Sequence, residues 1–184
     1  DVELMRRIGL SAYRFGIAWA RVQPLGRGAW NKKGLAFYDR LIDAVCAVGI
    51  APLATLCHYD IPQALAERGG WIDRDTTERF ADYAAAMAAR CGDRVRWWAT
   101  LNEPICVADG FVPAPEDPKD FAAVQHHLLL AHGRGVQAIH AADPALKAGL
   151  VACLWPAHAM SGDGRTAAAK AGERLRFAES AGAG

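Results

Sequence analysis

Four short runs, nearly all apolar and each followed by a longer segment with helical spacing, constrain this chain more than any other feature. The runs are Ala12 to Trp19, Ala51 to Cys57, Val95 to Asn102 and Ala148 to Leu154. A strand that is apolar along its length is buried on both faces, as happens when helices cover a parallel sheet. Between the runs, Leu35, Tyr38, Leu41, Ile42 and Val45 mark an amphipathic helix ending at Gly49. A second helix begins at Asp75, with Glu78 three residues on in capping-box spacing, and stops at Gly92. Phe121, Val124, Leu128, Ala131 and Ile139 share one side of a third, over 121–141. An Ala-rich segment, 165–180, reads as a fourth, and the terminal Ala-Gly-Ala-Gly should fray. Val2, Met5 and Ile8 close an opening helix at Gly9, and the stretches 23–31, 58–74 and 105–120 read as loops.

Strand–helix repeated in this way predicts an α/β fold with a parallel sheet and one domain over residues 1–184. Two architectures fit, a doubly wound open sheet and part of a (β/α)8 barrel. No G-x-G-x-x-G or Walker pattern follows any run, which counts against nucleotide-binding versions and against a cofactor of that kind. A full barrel takes about 250 residues, so 184 with four strand–helix units suggests a partial one. Its two open edges and apolar inner face would need covering.

Charge and composition narrow the partners. A net charge of +1 without a basic run argues against nucleic acid and anionic membrane surfaces. No run of about 18 apolar residues exists to span a bilayer. Five cysteines, an odd number with no C-x-x-C pair, read as scattered apolar residues in a reducing compartment, hence a cytoplasmic protein. No signal peptide is recognisable. The chain opens inside a helical pattern without an initiator Met, which leaves an upstream segment open.

The chemistry concentrates in Thr100-Leu101-Asn102-Glu103-Pro104. Pro104 lacks an N–H and ends the third strand, leaving a carboxylate and an amide at its C-terminal end, where α/β folds build active sites. Neighbours in a regular strand point to opposite faces, so Asn102 and Glu103 share a site only if the strand bulges or ends there. Arg14 lies within an apolar strand and, turned into a barrel, needs an anion or solvent. His58 follows a strand end beside Asp60 and reads as a substrate contact. His126, His127 and His132 show no i, i+4 ligand pair and read as helix-packing residues, so no metal is expected. Trp19, Trp71 and Trp155 are either ligand-stacking platforms or core residues, and Asp60, Asp73 and Asp109 turn or cap residues.

Several stretches together resemble the β-glucosidase-type family of retaining glycoside hydrolases (family one). They are Tyr13-Arg14-Phe15-Gly16-Ile17-Ala18-Trp19-Ala20-Arg21, Gly34-Leu35-Ala36-Phe37-Tyr38, and Thr55-Leu56-Cys57-His58-Tyr59-Asp60-Ile61-Pro62-Gln63-Ala64-Leu65. Gly69-Gly70-Trp71, Thr100-Leu101-Asn102-Glu103-Pro104 and His126-His127-Leu128-Leu129-Leu130-Ala131-His132-Gly133 follow in order. The resemblance implies strand–helix units two to five of a (β/α)8 barrel, acting on small β-linked glucosides. It implies Glu103 as general acid/base, and Asn102 as the amide that binds the sugar 2-hydroxyl. It also implies His58 as a contact to a sugar hydroxyl and Arg14 as partner of a nucleophile carboxylate. Departures from the family pattern are Tyr59 where Trp is usual, Gly16 where Ser is usual, Cys153 where Asn is common, and a short 105–120 loop. The family's second carboxylate and its early sugar-binding Gln have no counterpart.

A retaining mechanism needs two carboxyl groups about 5–5.5 Å apart, one of them kept protonated. Glu103 is the expected acid, with Trp97 and Trp98 as its apolar wall. The expectation is a β-glucosidase-like enzyme whose piece here lacks the nucleophile and is inactive alone. The alternative is a non-catalytic sugar-binding or structural half-barrel.

Overall fold

A computed structural model describes residues 1–108 and 118–154, so the helical tail 165–180, Trp155 and Asp109 lie outside the described residues. The chain divides into two compact units, Asp1–Val151 and Ala152–Gly184. The first contains all regular structure among the described residues. Its strands are β1 (Ala12–Gly16), β2 (Ala51–Cys57), β3 (Trp97–Asn102) and β4 (Lys147–Val151), and its principal helices are α1 (Val2–Arg7), α3 (Lys32–Ala47), α5 (Asp75–Cys91) and α7 (Pro118–Ala142). Short helices α2 (Trp19–Val22), α4 (Gln63–Ala66) and α6 (Pro104–Cys106) decorate the strand ends.

All neighbouring strands pair in parallel, in the spatial order β1-β2-β3-β4. Each strand therefore lies beside its successor in sequence, with α3, α5 and α7 as the crossovers. A doubly wound sheet would reverse its order at a switch point. Sequential order throughout is that of a partial (β/α)8 barrel, which decides between the two architectures left open above.

The core lies where α5 and its neighbours cover the sheet. Trp19 stacks on Tyr83 with ring centroids 5.0 Å apart, and Phe80 meets Trp19 edge-on at 5.9 Å. Trp19 is fully buried and Trp71 nearly so, which makes both packing residues and removes them as sugar platforms. Beneath them the Tyr83 hydroxyl lies 3.0 Å from the Ile17 carbonyl oxygen and 3.1 Å from that of Leu56. One phenol thus ties the residue that follows β1 to the end of β2, close in sequence to His58.

Several boundaries depart from expectation. β1 stops at Gly16 rather than continuing to Trp19. The Ile17 N–H makes the last bond to β2, at Thr55 O, whereas the Ala18 N–H is taken by the Tyr38 hydroxyl at 2.7 Å. The chain then turns into α2 and buries Trp19. The 58–74 stretch is not all loop, since it holds α4 and a 3-10 turn at Gly70–Ile72. The start of α5 is secured by Asp73, whose carboxylate accepts the Asp75 N–H at 2.9 Å, while Asp75 itself pairs with Arg79 at 3.0 Å. The capping carboxylate therefore lies two residues before the one the spacing suggested. The third helix starts at Pro118, inside the stretch expected to be loop, and no helix among the described residues is long and apolar enough to cross a membrane.

Removing the Tyr83 hydroxyl takes away the single proton that the Ile17 and Leu56 carbonyls share. Tyr83→Phe should lower the free energy of unfolding by about 1–3 kcal/mol, read from the urea midpoint at unchanged slope. No change in midpoint would mean that the clamp is not formed.

Candidate active site

The site grows from the end of β3. Against β2 this strand keeps regular register, with Thr55 beside Ala99 and Cys57 beside Leu101. Against β4 it does not: Ala99 pairs with Gly149 but Asn102 with Val151, three residues matched to two. The extra residue is a bulge, and it turns Asn102 to the face from which Arg14 and Thr55 project. Strict alternation would have sent Asn102 the other way.

Arg14 projects from β1 onto that face and reaches across the sheet. Its Nε donates to Thr55 Oγ1 at 2.8 Å, and its Nη2 donates to Asn102 Oδ1 at 2.5 Å. Arg14 is otherwise exposed and has no acidic partner among the described residues, whereas Asn102 is 4% exposed. Because guanidinium has only donors, its bond fixes the amide with oxygen toward Arg14 and nitrogen away.

Glu103 follows directly, half-buried, with φ 46° and ψ 61°. This left-handed conformation is strained for a side chain with a Cβ, and such strain gathers at functional sites. Two anchors hold it. The Glu103 N–H donates to Val151 O at 2.8 Å, and Pro104 opens α6 immediately afterwards, where its missing N–H is no loss. The other non-glycine residue with positive φ is Tyr59, at 76°. Its hydroxyl donates to Glu103 Oε2. That bond, followed by burial, pushes the phenol up to about 12, with the Asn102 side chain opposing the rise. His58, next to it, sets its ring perpendicular to Tyr59 with centroids 5.1 Å apart.

His58, Asn102 and Glu103 therefore stand at the strand ends, and Arg14, from the middle of β1, reaches them with its side chain. Arg14 is bonded to Asn102, Asn102 adjoins Glu103, and Glu103 is linked through Tyr59 to the neighbourhood of His58. Beside them, along the unpaired edge of β1, Arg14, Thr55, Gly16 and His58 line an open cleft of about 520 Å³. The apolar wall foreseen for Glu103 is not there. Trp97 opens β3 at the opposite end of the strand, half-exposed on the face of Arg14 and Leu53, and Trp98 is buried with its indole on Val95 O. Five to six residues of extended chain, roughly 15–20 Å, separate both from Glu103. Tyr59 and Thr55 are the site residues that sequence reasoning missed. The signal was present for each: Tyr59 as a departure from the usual Trp, Thr55 at the head of the His58 motif.

The strand that carries Asn102 and Glu103 is also held from behind. Thr100 Oγ1 donates to Gly149 O at 3.1 Å, so at 2.7 Å it must accept from His132, whose Nδ1 carries the proton. His127 Nδ1 likewise donates to Trp71 O at 2.9 Å. Both histidines thus join α7 to its surroundings. Cys57, between these motifs, is fully buried and its thiol is pushed up to about 12 by burial, which makes it an unreactive core group.

A parallel β/α sheet thus brings a carboxylic acid, an amide, an imidazole and a guanidinium together toward its carboxyl ends, where barrel folds build their active sites. The family model for glycosyl hydrolase family 1 matches residues 1–177. The chain belongs to that family. It is 51% identical over 141 residues to thermostable beta-glucosidase B of Thermobispora bispora, covering 74% of this chain and 30% of that protein. A beta-glucosidase of an Agrobacterium strain is 43% identical over 157 residues, 82% of this chain and 34% of that one. Among solved structures, the beta-glucosidase from Thermotoga maritima in complex with deoxynojirimycin superposes with a TM-score of 0.88 at 36% identity, over 96% of this chain and 41% of that one. The chain thus spans about a third of the length of the curated relatives it matches.

Burial holds the His132 imidazole below its ordinary value of 6.5, so the folded state disfavours the imidazolium. The unfolded chain therefore takes up this proton first, and the associated stability, intact above about pH 6.5, declines as the pH falls below it. His132→Gln should remove that part of the acid loss in urea unfolding measured across this window. Identical pH slopes for the variant and the parent would refute the coupling.

Proposed function

We propose that this chain supplies the acid/base and sugar-holding part of a retaining β-glucosidase site. The observation that carries this reading is the common rim of Glu103, Asn102, Arg14 and His58, with Arg14 bonded to Asn102 and Tyr59 to Glu103. Glu103 is the proton donor to the glycosidic oxygen, and the resulting carboxylate later draws a proton from the attacking water. Asn102, its amide nitrogen turned from Arg14, offers a donor to a sugar 2-hydroxyl. His58, exposed at the cleft, offers imidazole nitrogens to another hydroxyl. Arg14 faces the inside of the barrel with part of its guanidinium uncommitted, ready for the carboxylate of a nucleophile carried by a further strand. The substrate class is a small β-linked glucoside, as the names of the relatives suggest. The match over residues 1–177 supports reading the whole chain as one piece of a barrel domain, and the free thiols of Cys46, Cys57 and Cys91 support a cytoplasmic setting.

Among the described residues β1 and β4 have no outer neighbour, which favours one competing reading, a structural half-barrel without chemistry of its own. Both readings predict that the 184-residue chain alone hydrolyses little or no glucoside. They part in a barrel completed by the remaining strands. There Glu103→Gln should lower turnover of aryl β-glucosides with poor leaving groups by about 10²–10⁴-fold, while activated aryl glucosides, which need no proton, form the glycosyl-enzyme at nearly the parental rate. Equal losses for both substrates, or none, would overturn the assignment of the acid.

A further inference from the structure

Glu103 has a partner that the proposed chemistry has not yet used. Tyr59 comes from the end of β2, and its backbone is held at φ 76°, so its position is enforced rather than incidental. Its hydroxyl donates to one carboxylate oxygen of Glu103, Oε2. Asn102, whose orientation is fixed by Arg14, lies close enough to the same phenol to oppose the rise in its pKa.

We infer that Tyr59 is a positioning residue for Glu103, holding Oε2 so that Oε1 alone exchanges the catalytic proton with the glycosidic oxygen and with water. This rests on Glu103 being the acid/base. In the first step Oε1–H gives its proton to the departing oxygen as the glycosidic bond breaks, and the charge left on the carboxylate is met at Oε2 by the phenol proton, which stays on Tyr59. In the second step Oε1 receives a proton from water and the original state returns. Tyr59 gains and loses no proton in the cycle.

The residue type matters. An indole at this place, usual in the family resemblance, carries an N–H and no acceptor. It can donate to Glu103 but cannot accept at the same time, whereas a phenol can do both.

The test is a double-mutant cycle in the completed barrel with Tyr59→Phe, Glu103→Gln and both together, assayed on aryl β-glucosides with poor and with activated leaving groups. Tyr59→Phe keeps the ring and removes only the hydroxyl. It should lower kcat on poor leaving groups by roughly ten-fold, the loss of one hydrogen bond to a charged group, with KM and activated substrates changed by less than about two-fold. In the Glu103→Gln background the same substitution should change nothing further, because the group it acts through is gone. Tyr59→Trp, which restores a donor without an acceptor, should not recover the parental kcat. A parallel loss on both leaving groups, or a Tyr59→Phe effect that persists undiminished without Glu103, overturns the role of Tyr59 and leaves that of the acid standing. Should Glu103→Gln spare the poor leaving groups, the acid assignment fails, and this inference with it.

Discussion

The bond between Arg14 and Asn102 is the contact on which the rest of the site depends. It spans three strands, and it exists only because β3 takes in one extra residue against β4 before it ends. Without that bulge Asn102 would face the helices, Glu103 would leave the strand in a different direction, and the two side chains could not serve one ligand. The bulge is local, but its effect is transmitted sideways through polar groups that have few alternatives. A guanidinium can only donate, an amide oxygen can only accept, and the amide nitrogen is left to point away from Arg14.

Strain and support are placed together in this region. The two non-glycine residues with positive φ, Tyr59 and Glu103, meet through a hydrogen bond. Each would relax if released, and each is prevented by its surroundings. Glu103 is held by the Val151 carbonyl and the turn begun at Pro104, and the ladder behind it is backed by the Thr100–His132 bond. Under the strand ends the Tyr83 phenol joins β1 to β2 from within the aromatic cluster of Trp19 and Phe80. The hydrophobic core thus fixes the height of the strands, and polar bonds at their ends fix where the functional groups aim. Such division is what allows a barrel to keep its scaffold while varying its chemistry.

Much of the scaffold was legible in the chain itself. Apolar runs and helical spacing located all four strands and the three crossover helices, because burial on both faces leaves a mark at every position of a strand. The span of β2 agrees with its residues throughout, 51 to 57. Errors fell where a tertiary partner intervenes. Tyr38 takes the N–H of Ala18 and ends β1 three residues early, and Asp73 rather than Asp75 meets the first turn of α5. Trp97 and Trp98 were assigned to the acid by closeness in the motif, but a strand converts closeness in sequence into distance along its axis.

What the sequence by itself determined was the class of fold, the strand ends that carry Glu103 and His58, and the family to which these motifs belong. Those are properties of pattern and spacing, which survive in one dimension. Tertiary structure alone decided the sequential strand order, the face on which Asn102 emerges, and the bonds from Arg14 to Asn102 and from Tyr59 to Glu103. Each of these depends on the register and pairing of segments distant in the chain, and a hydrogen bond between residues 44 or 88 positions apart leaves no periodic trace to read.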